Sequence, residues 1–206
     1  MNAPTTLRIG LTGGIGSGKS TVSAMLSSLG AVVIVDADAI SRQLTAPGGA
    51  ALPSIAQTFG SQMIDPHGAM DRQAMRALVF GNPNARQQLE AIIHPLVTQT
   101  IRQQAQAAAE AGARVVVLDI PLLVEAGDRW RKEVDKVLVV DCSTETQIAR
   151  VMQRSGLQRE EVQRIIDQQA SRAQRAQVAD VILLNEGLDM SALQAEVKKV
   201  ARQFGL

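Results

Sequence analysis

The octapeptide Gly13-Gly14-Ile15-Gly16-Ser17-Gly18-Lys19-Ser20 constrains this chain more than any other stretch. It fits the pattern G-x-x-x-x-G-K-[ST], and its context is right: an apolar run leads into it and an amphipathic stretch leaves it. Glycines let successive backbone N–H groups turn toward one point and form a nest for phosphate oxygens. The helix that follows adds unpaired N–H groups and the positive end of its dipole. On this reading Gly14, Gly16, Ser17, Gly18, Lys19, Ser20 and Thr21 hold ATP. Lys19 bridges the β- and γ-phosphates, the Ser20 hydroxyl ligates Mg²⁺, and Thr21 donates to the α-phosphate. Lys19 is expected on a solvent-facing loop, so that Lys19→Ala leaves the fold intact.

Five apolar runs, Leu7–Leu11, Ala31–Val35, Arg114–Leu118, Lys136–Val140 and Val181–Leu184, are continuous rather than alternating. That suits strands buried on both faces, as in a parallel sheet between helices. Helical spacing fills the gaps. Val22, Met25, Leu26 and Leu29 form one stripe, and Leu193, Val197, Val200 and Phe204 form another. A third, Leu89, Ile92, Ile93, Leu96, Val97 and Ile101, contains Pro95, which is expected to kink its helix. The fold class is therefore α/β: a P-loop, doubly wound five-stranded parallel sheet flanked by helices, in one domain. Its core covers about 1–40, 113–142 and 180–206. The long stretch 41–112, punctuated by Pro47-Gly48-Gly49 and Asp65-Pro66-His67-Gly68, reads as a helical substrate insert, and 143–179 as a helical lid.

Composition excludes several classes. Basic and acidic residues nearly cancel, 21 − 20 = +1, so nothing suggests a nucleic-acid partner. With three Phe, one Trp and no Tyr, stacking platforms for single strands are missing too. No apolar run approaches the ~20 residues that span a bilayer, and the first residues lack a secretory pattern, so no membrane association is expected. The one cysteine, Cys142, reads as a small buried thiol in a reducing compartment, the cytoplasm. The helix stripes can be satisfied within one chain, which fits a monomer or a weak homo-oligomer.

A P-loop does not say where the phosphate goes. A guanine-reading N-K-x-D is lacking, since the fifth run ends Asn185-Glu186-Gly187-Leu188, and Asp119-Ile120-Pro121-Leu122 lacks the glycine of a D-x-x-G switch. The second run ends Asp36-Ala37-Asp38, with Arg42 one helical turn on. Carboxyl ends of parallel strands line the ligand crevice. If the strand continues, both carboxylates point the same way, and one accepts the proton of an acceptor hydroxyl while Arg42 holds an acceptor phosphate. Either can instead cap the following helix.

Leu11 to Ser20, then Asp36-Ala37-Asp38, closely resemble the dephospho-coenzyme A kinase family. His94-Pro95-Leu96, Pro121-Leu122-Leu123-Val124-Glu125, and Gln168-Gln169 through Arg172 to Ala179-Asp180 and Asn185 extend the likeness over nearly the whole chain. The resemblance implies ATP-dependent phosphorylation of the ribose 3′-hydroxyl of dephospho-CoA, the last step of coenzyme A synthesis. It also implies a nucleoside-monophosphate-kinase-like core, a helical coenzyme-A domain and a lid. It favours Asp38 over Asp36 as the base. Family members often carry a double aspartate before the last strand; here Asp180 stands alone, which puts the adenine-side contacts in question.

Further candidates follow. Asp119 ends the third run, where a carboxylate can reach Mg²⁺ through water or merely cap a turn. Pro121, Leu122 and Glu125 can line the acceptor pocket. His94 is either a substrate contact or a packed histidine. In the lid, Arg150 and Arg154 share a helix face. They are the choice for bringing positive charge to the phosphates, Arg150 catalytically and Arg154 on the substrate, while Arg159, Arg164, Arg172 and Arg175 read mostly as a solvated face. The alternatives are a nucleoside or nucleotide kinase with another acceptor, and a non-transferring ATP-binding switch.

Overall fold

The computed structural model describes residues 6–206. The chain divides into two compact units, Met1–Val35 with Ala105–Leu206, and Asp36–Gln104.

The first unit is built on a five-stranded parallel sheet in the order β2-β3-β1-β4-β5. The strands are β1 (Leu7–Gly13), β2 (Val32–Asp36), β3 (Val115–Asp119), β4 (Lys136–Asp141) and β5 (Val181–Leu184), within two residues of the apolar runs at each end. β1 lies between β3 and β4, with Leu11 opposite both Asp119 and Leu138. Ile9, Leu11, Val115, Val117, Leu138 and Val140 pack into one apolar cluster. With them pack Val22 and Leu26 of helix α1 (Lys19–Ser27) and Leu193, Val197 and Val200 of a C-terminal helix. Val116, Leu118, Val137 and Val139, which point to the opposite face, are also buried. Burial on both faces is why the sequence shows continuous rather than alternating apolar strands.

The second unit holds helices α2 (Ala37–Leu44), α3 (Leu52–Phe59) and α4 (Arg72–Phe80), and residues 83–104 of α5 (Pro83–Glu110). Ala51, Ile55 and Met75 form its core, with Leu89, Ile92, Ile93 and Leu96 packed against them. The Asp65 carboxylate accepts from the N–H groups of His67 and Ala69, and Gly68 takes φ 81°, closing the turn its sequence advertises. α5 is one continuous helix through Pro95.

After β3 comes α6 (Asp128–Arg131). The segment between β4 and β5 forms α7 (Thr144–Ser155), α8 (Arg159–Asp167) and α9 (Arg172–Val178). It has a small core of its own, Ile148, Val151 and Val162, against which Ile15, Leu157 and Ile166 pack. The final helix is α10 (Met190–Gln203). Among the described residues, no helix is long and apolar enough to cross a membrane.

Candidate active site

The glycine-rich loop leaves the carboxyl end of the central strand and enters α1. Gly18 takes φ 92° and Gly16 φ 75°, which L side chains rarely adopt. Space forbids a side chain there too. A Cβ on Gly16 would lie 2.7 Å from the Gln147 carbonyl oxygen, and one on Gly18 would lie 2.3 Å from the Asn185 amide nitrogen.

What holds the loop in shape is its outer, carbonyl side. The Ile15 carbonyl accepts from Gln147 Nε2 at 2.6 Å. Those of Gly16 and Ser17 accept from Arg150 Nη1 at 3.4 and 3.3 Å, and Ser17 also from Asn185 Nδ2 at 2.8 Å. Arg150 Nη2 reaches on to the Asn185 carbonyl at 3.1 Å. The Ile15 N–H is taken by Gln169 Oε1 at 2.9 Å. The Ser17 N–H is likewise used within the protein, on the Gly14 carbonyl at 3.1 Å. At the start of α1 the N–H groups of Lys19 and Ser20 have no carbonyl four residues back within the helix, leaving them available to an anion.

The charges around the loop are distributed as follows. Lys19 Nζ is ion-paired and hydrogen-bonded to Asp119 Oδ1, with the two side chains only 16% and 8% exposed. This corrects the expectation of a solvent-facing lysine. Asp119 is the last residue of β3, an interior strand covered on both faces, so the carboxylate that Lys19 meets is buried. Arg172 forks onto Asp141, with Nη2 at 2.6 Å from Oδ2, and that hydrogen bond raises the arginine's pKa further. Glu186 accepts from the Ser143 N–H at 2.6 Å and from the Thr146 hydroxyl, contacts that hold its carboxyl below the usual range. Glu125 accepts from the Ala170 N–H at 2.7 Å, tying the loop after β3 to the α8–α9 connection. Pro121 receives the Thr12 hydroxyl at its carbonyl, while Leu122 is exposed.

Among the described residues, three buried polar atoms lack a partner: Ser17 Oγ, Gln147 Oε1 and Arg175 Nε. All three belong to the loop or to residues against it. That is a local departure from the general rule that buried polar groups are satisfied. Ser20 is exposed at the start of α1; its hydroxyl and the Asp119 carboxylate are oxygen donors of the type a hard divalent cation prefers. Among the described residues no cluster of three or more His, Cys, Asp or Glu could hold a metal alone.

The other predicted residues are placed as follows. β2 ends at Asp36, whose carboxylate caps α2 by accepting from the Ala39 N–H at 2.9 Å. The strand therefore does not continue to Asp38, which stands in the first turn of α2 and is exposed. Successive helical residues turn by about 100°, so the two carboxylates face different ways. Arg42 is exposed, 3.8 Å from Asp36. His94 is exposed on α5, not packed. Arg154 is exposed near the end of α7, while Arg150 is turned to the loop. Asp180 sits at the amino end of its strand, the end away from the loop. There it accepts from the Val137 N–H at 2.8 Å and pairs with Lys136 at 3.1 Å, which accounts for it structurally. Cys142 is buried, and burial pushes its thiol up.

Sequence reading missed Gln147, Gln169 and Arg175 as loop contacts. The 3.6-residue spacing of Gln147, Ile148, Arg150 and Val151 carried a trace of it, because Gln147 stands on the apolar, buried side of α7.

A glycine-rich loop at the head of a central parallel strand, braced by the segment that also carries the arginines, defines the class of the P-loop kinases. The family model for dephospho-CoA kinase matches residues 7–190. A dephospho-CoA kinase of Albidiferax ferrireducens is 56% identical over 97% of this chain and 93% of its own length. One of Burkholderia thailandensis is 49% identical over 95% and 94%. A Thermus thermophilus crystal structure superposes with a TM-score of 0.77 at 31% identity, covering 96% of this chain and 97% of that one. The chain belongs to the dephospho-CoA kinase family.

Proposed function

We propose that the loop residues Gly14 to Thr21 bind the triphosphate of ATP, and that the γ-phosphoryl group passes to the ribose 3′-hydroxyl of dephospho-CoA. Family membership makes the chain an ATP-dependent kinase that phosphorylates dephospho-CoA in coenzyme A biosynthesis; the residue roles are our own reading. The acceptor oxygen bonds to the γ-phosphorus as the bond from that phosphorus to the β–γ bridging oxygen breaks. ADP leaves, and the acceptor proton passes to a carboxylate.

Asp38 is that base, with Arg42 and His94 on the acceptor's side. Asp36 caps α2, and family resemblance supports Asp38 of the two aspartates. Lys19 stabilises charge on the transferring group. Arg150 does so from α7, Arg154 contacts substrate, and Pro121, Leu122 and Glu125 line the acceptor pocket. Mg²⁺, when bound, neutralises phosphate charge, and Ser20 and Asp119 would hold it. The enzyme works in the cytoplasm as a monomer or weak homo-oligomer.

The observation that carries this reading is the loop itself, with its outward carbonyls held by Gln147, Arg150 and Asn185. Its test is ADP release with ATP, Mg²⁺ and dephospho-CoA, with the product's mass measured. A gain of one phosphate, at a rate that saturates with dephospho-CoA, is expected. ADP release indifferent to dephospho-CoA would overturn the acceptor.

A further inference from the structure

Lys19 within the loop, Arg150 against it and Arg172 on α9 each have an evident partner. Lys19 has Asp119, Arg172 has Asp141, and Arg150 has the loop carbonyls. Among the described residues, Arg175 of α9 has a single backbone carbonyl and no counter-charge. It is 5% exposed, its Nη1 donates to the Ala170 carbonyl, and its Nε is buried with no partner. No carboxylate pairs with it among the described residues. A buried guanidinium without a counter-charge is costly, and a fold retains one where something else supplies the anion.

Its position says what. A Cβ on Gly14 would lie 3.0 Å from Arg175 Nη2 and 2.3 Å from Gln147 Nε2, so these two side chains occupy the slot that the glycine leaves open. Gly14 begins the phosphate nest. The next residue, Ile15, is tied on every side to the same helical segment. Its carbonyl is held by Gln147, its N–H by Gln169, and its side chain by the Ile148 cluster. Arg175, Gln147 and Gln169 also line a cavity of about 500 Å³ among α7, α8 and α9, with Gln163, Ile166 and Arg172.

We propose that Arg175 is a positioning residue for phosphoryl transfer, holding Gly14 and the Gln147–Ile15–Gln169 clasp so that the loop is set for a polyanion. Its charge is compensated only when the nest is filled. The inference rests on the proposed nucleotide site and deepens it. It requires an unusual pairing of effects: the free protein tolerates loss of the charge, and the liganded protein does not.

The test compares wild type with Arg175→Met and Arg175→Lys, each as the full chain. Melting is followed with and without ADP and, separately, inorganic pyrophosphate, and KM for ATP and kcat are measured. Without ligand, Arg175→Met is expected to melt no lower than wild type. With either ligand its stabilisation is smaller, and its KM for ATP rises several-fold, up to about tenfold, because a less firmly set loop must be ordered on binding. Arg175→Lys, which keeps the charge, recovers most of the KM. A purely structural arginine would give the reverse: a lower melting point without ligand, no selective change in KM, and no rescue by lysine. That result overturns the inference. If wild type itself gains no stability from ADP or pyrophosphate, the nucleotide site fails instead.

Discussion

Replacing Lys19 by Ala should destabilise this kinase before any nucleotide is present. The partner left behind, Asp119, is 8% exposed at the side chain, so its carboxylate cannot recover full hydration. Breaking a buried pair from one side typically costs 3–5 kcal/mol, against 0–1 for an exposed pair. Lys19 keeps 16% of its side chain in solvent, which argues for the lower end, about 3 kcal/mol. Freeing the lysine chain returns roughly 1 kcal/mol of rotamer entropy, leaving a net loss of about 2 kcal/mol. For a chain of this size that lowers the melting temperature by ~4–8 °C. The single tryptophan, Trp130, is buried in the unit that carries the loop, so its fluorescence reports that unit's unfolding. Asp119→Asn and the double variant complete a mutant cycle, in which the double should be no less stable than the worse single. A Lys19→Ala protein that melts within about 1 °C of wild type, with no coupling to Asp119, would refute the reasoning, since surface changes rarely exceed ~0.5 kcal/mol.

Gly16→Ala should abolish most activity, by about 100-fold, because the added methyl meets the backbone oxygen of Gln147 at 2.7 Å and the loop must move; initial rates at saturating ATP check it. Asp38→Asn should lower kcat by 100-fold or more while ADP affinity, read by calorimetry, stays near wild type. Asp36→Asn keeps a capping oxygen and should change both little. Asp180 bears on pH. Burial pushes its carboxyl up, but the Val137 N–H with Lys136 and Arg131 outweighs this and holds it below the ordinary 3.8. Its stabilisation is therefore fully present above 3.8 and is lost as pH falls through the lower, folded value. Asp180→Asn should cost about 1 kcal/mol at pH 7 and nothing once pH has fallen below that folded value, as measured by urea melts across pH.

Much of the fold was legible because a sheet covered on both faces writes itself as continuous apolar runs, and each of the five runs became a strand. The phosphate loop was legible because glycine is the residue its torsion angles at Gly16 and Gly18 require. The strand-to-helix junction at Asp36 was harder to read. Apolar pattern stops there for either a strand end or a helix cap, and only the Ala39 N–H decides between them. Long-range pairing was less legible still. Lys19 and Asp119 are a hundred residues apart in the chain, and nothing local in either records the other. Arg175 reads, with Arg159, Arg164 and Arg172, as part of a mostly solvated charged face, yet α9 turns that one side chain inward.

These hidden contacts share a logic. A loop that must offer its N–H groups to phosphate has to place its carbonyls elsewhere, and in water they would hold no fixed direction. Here Gln147, Arg150 and Asn185 give them that direction, two from α7 and one from the turn after β5. Glu186 fastens those two elements to each other through Ser143 and Thr146. The segment that carries the arginines is thus part of the loop's support, and disturbing either should disturb the other. Asn185→Ala makes the case sharply, since it touches no phosphate on this reading. It removes one of two donors to the Ser17 carbonyl and empties the space against Gly18. Loss of one buried hydrogen bond costs about 1–3 kcal/mol of stability, and a loop less firmly shaped should raise KM for ATP several-fold. Adding Gly18→Ala to that variant should then be better tolerated than Gly18→Ala alone, because the amide its methyl would strike is gone. If the two changes instead add without relief, the Asn185 contact does not shape the loop, and its hold on the carbonyl side is weaker than these distances imply.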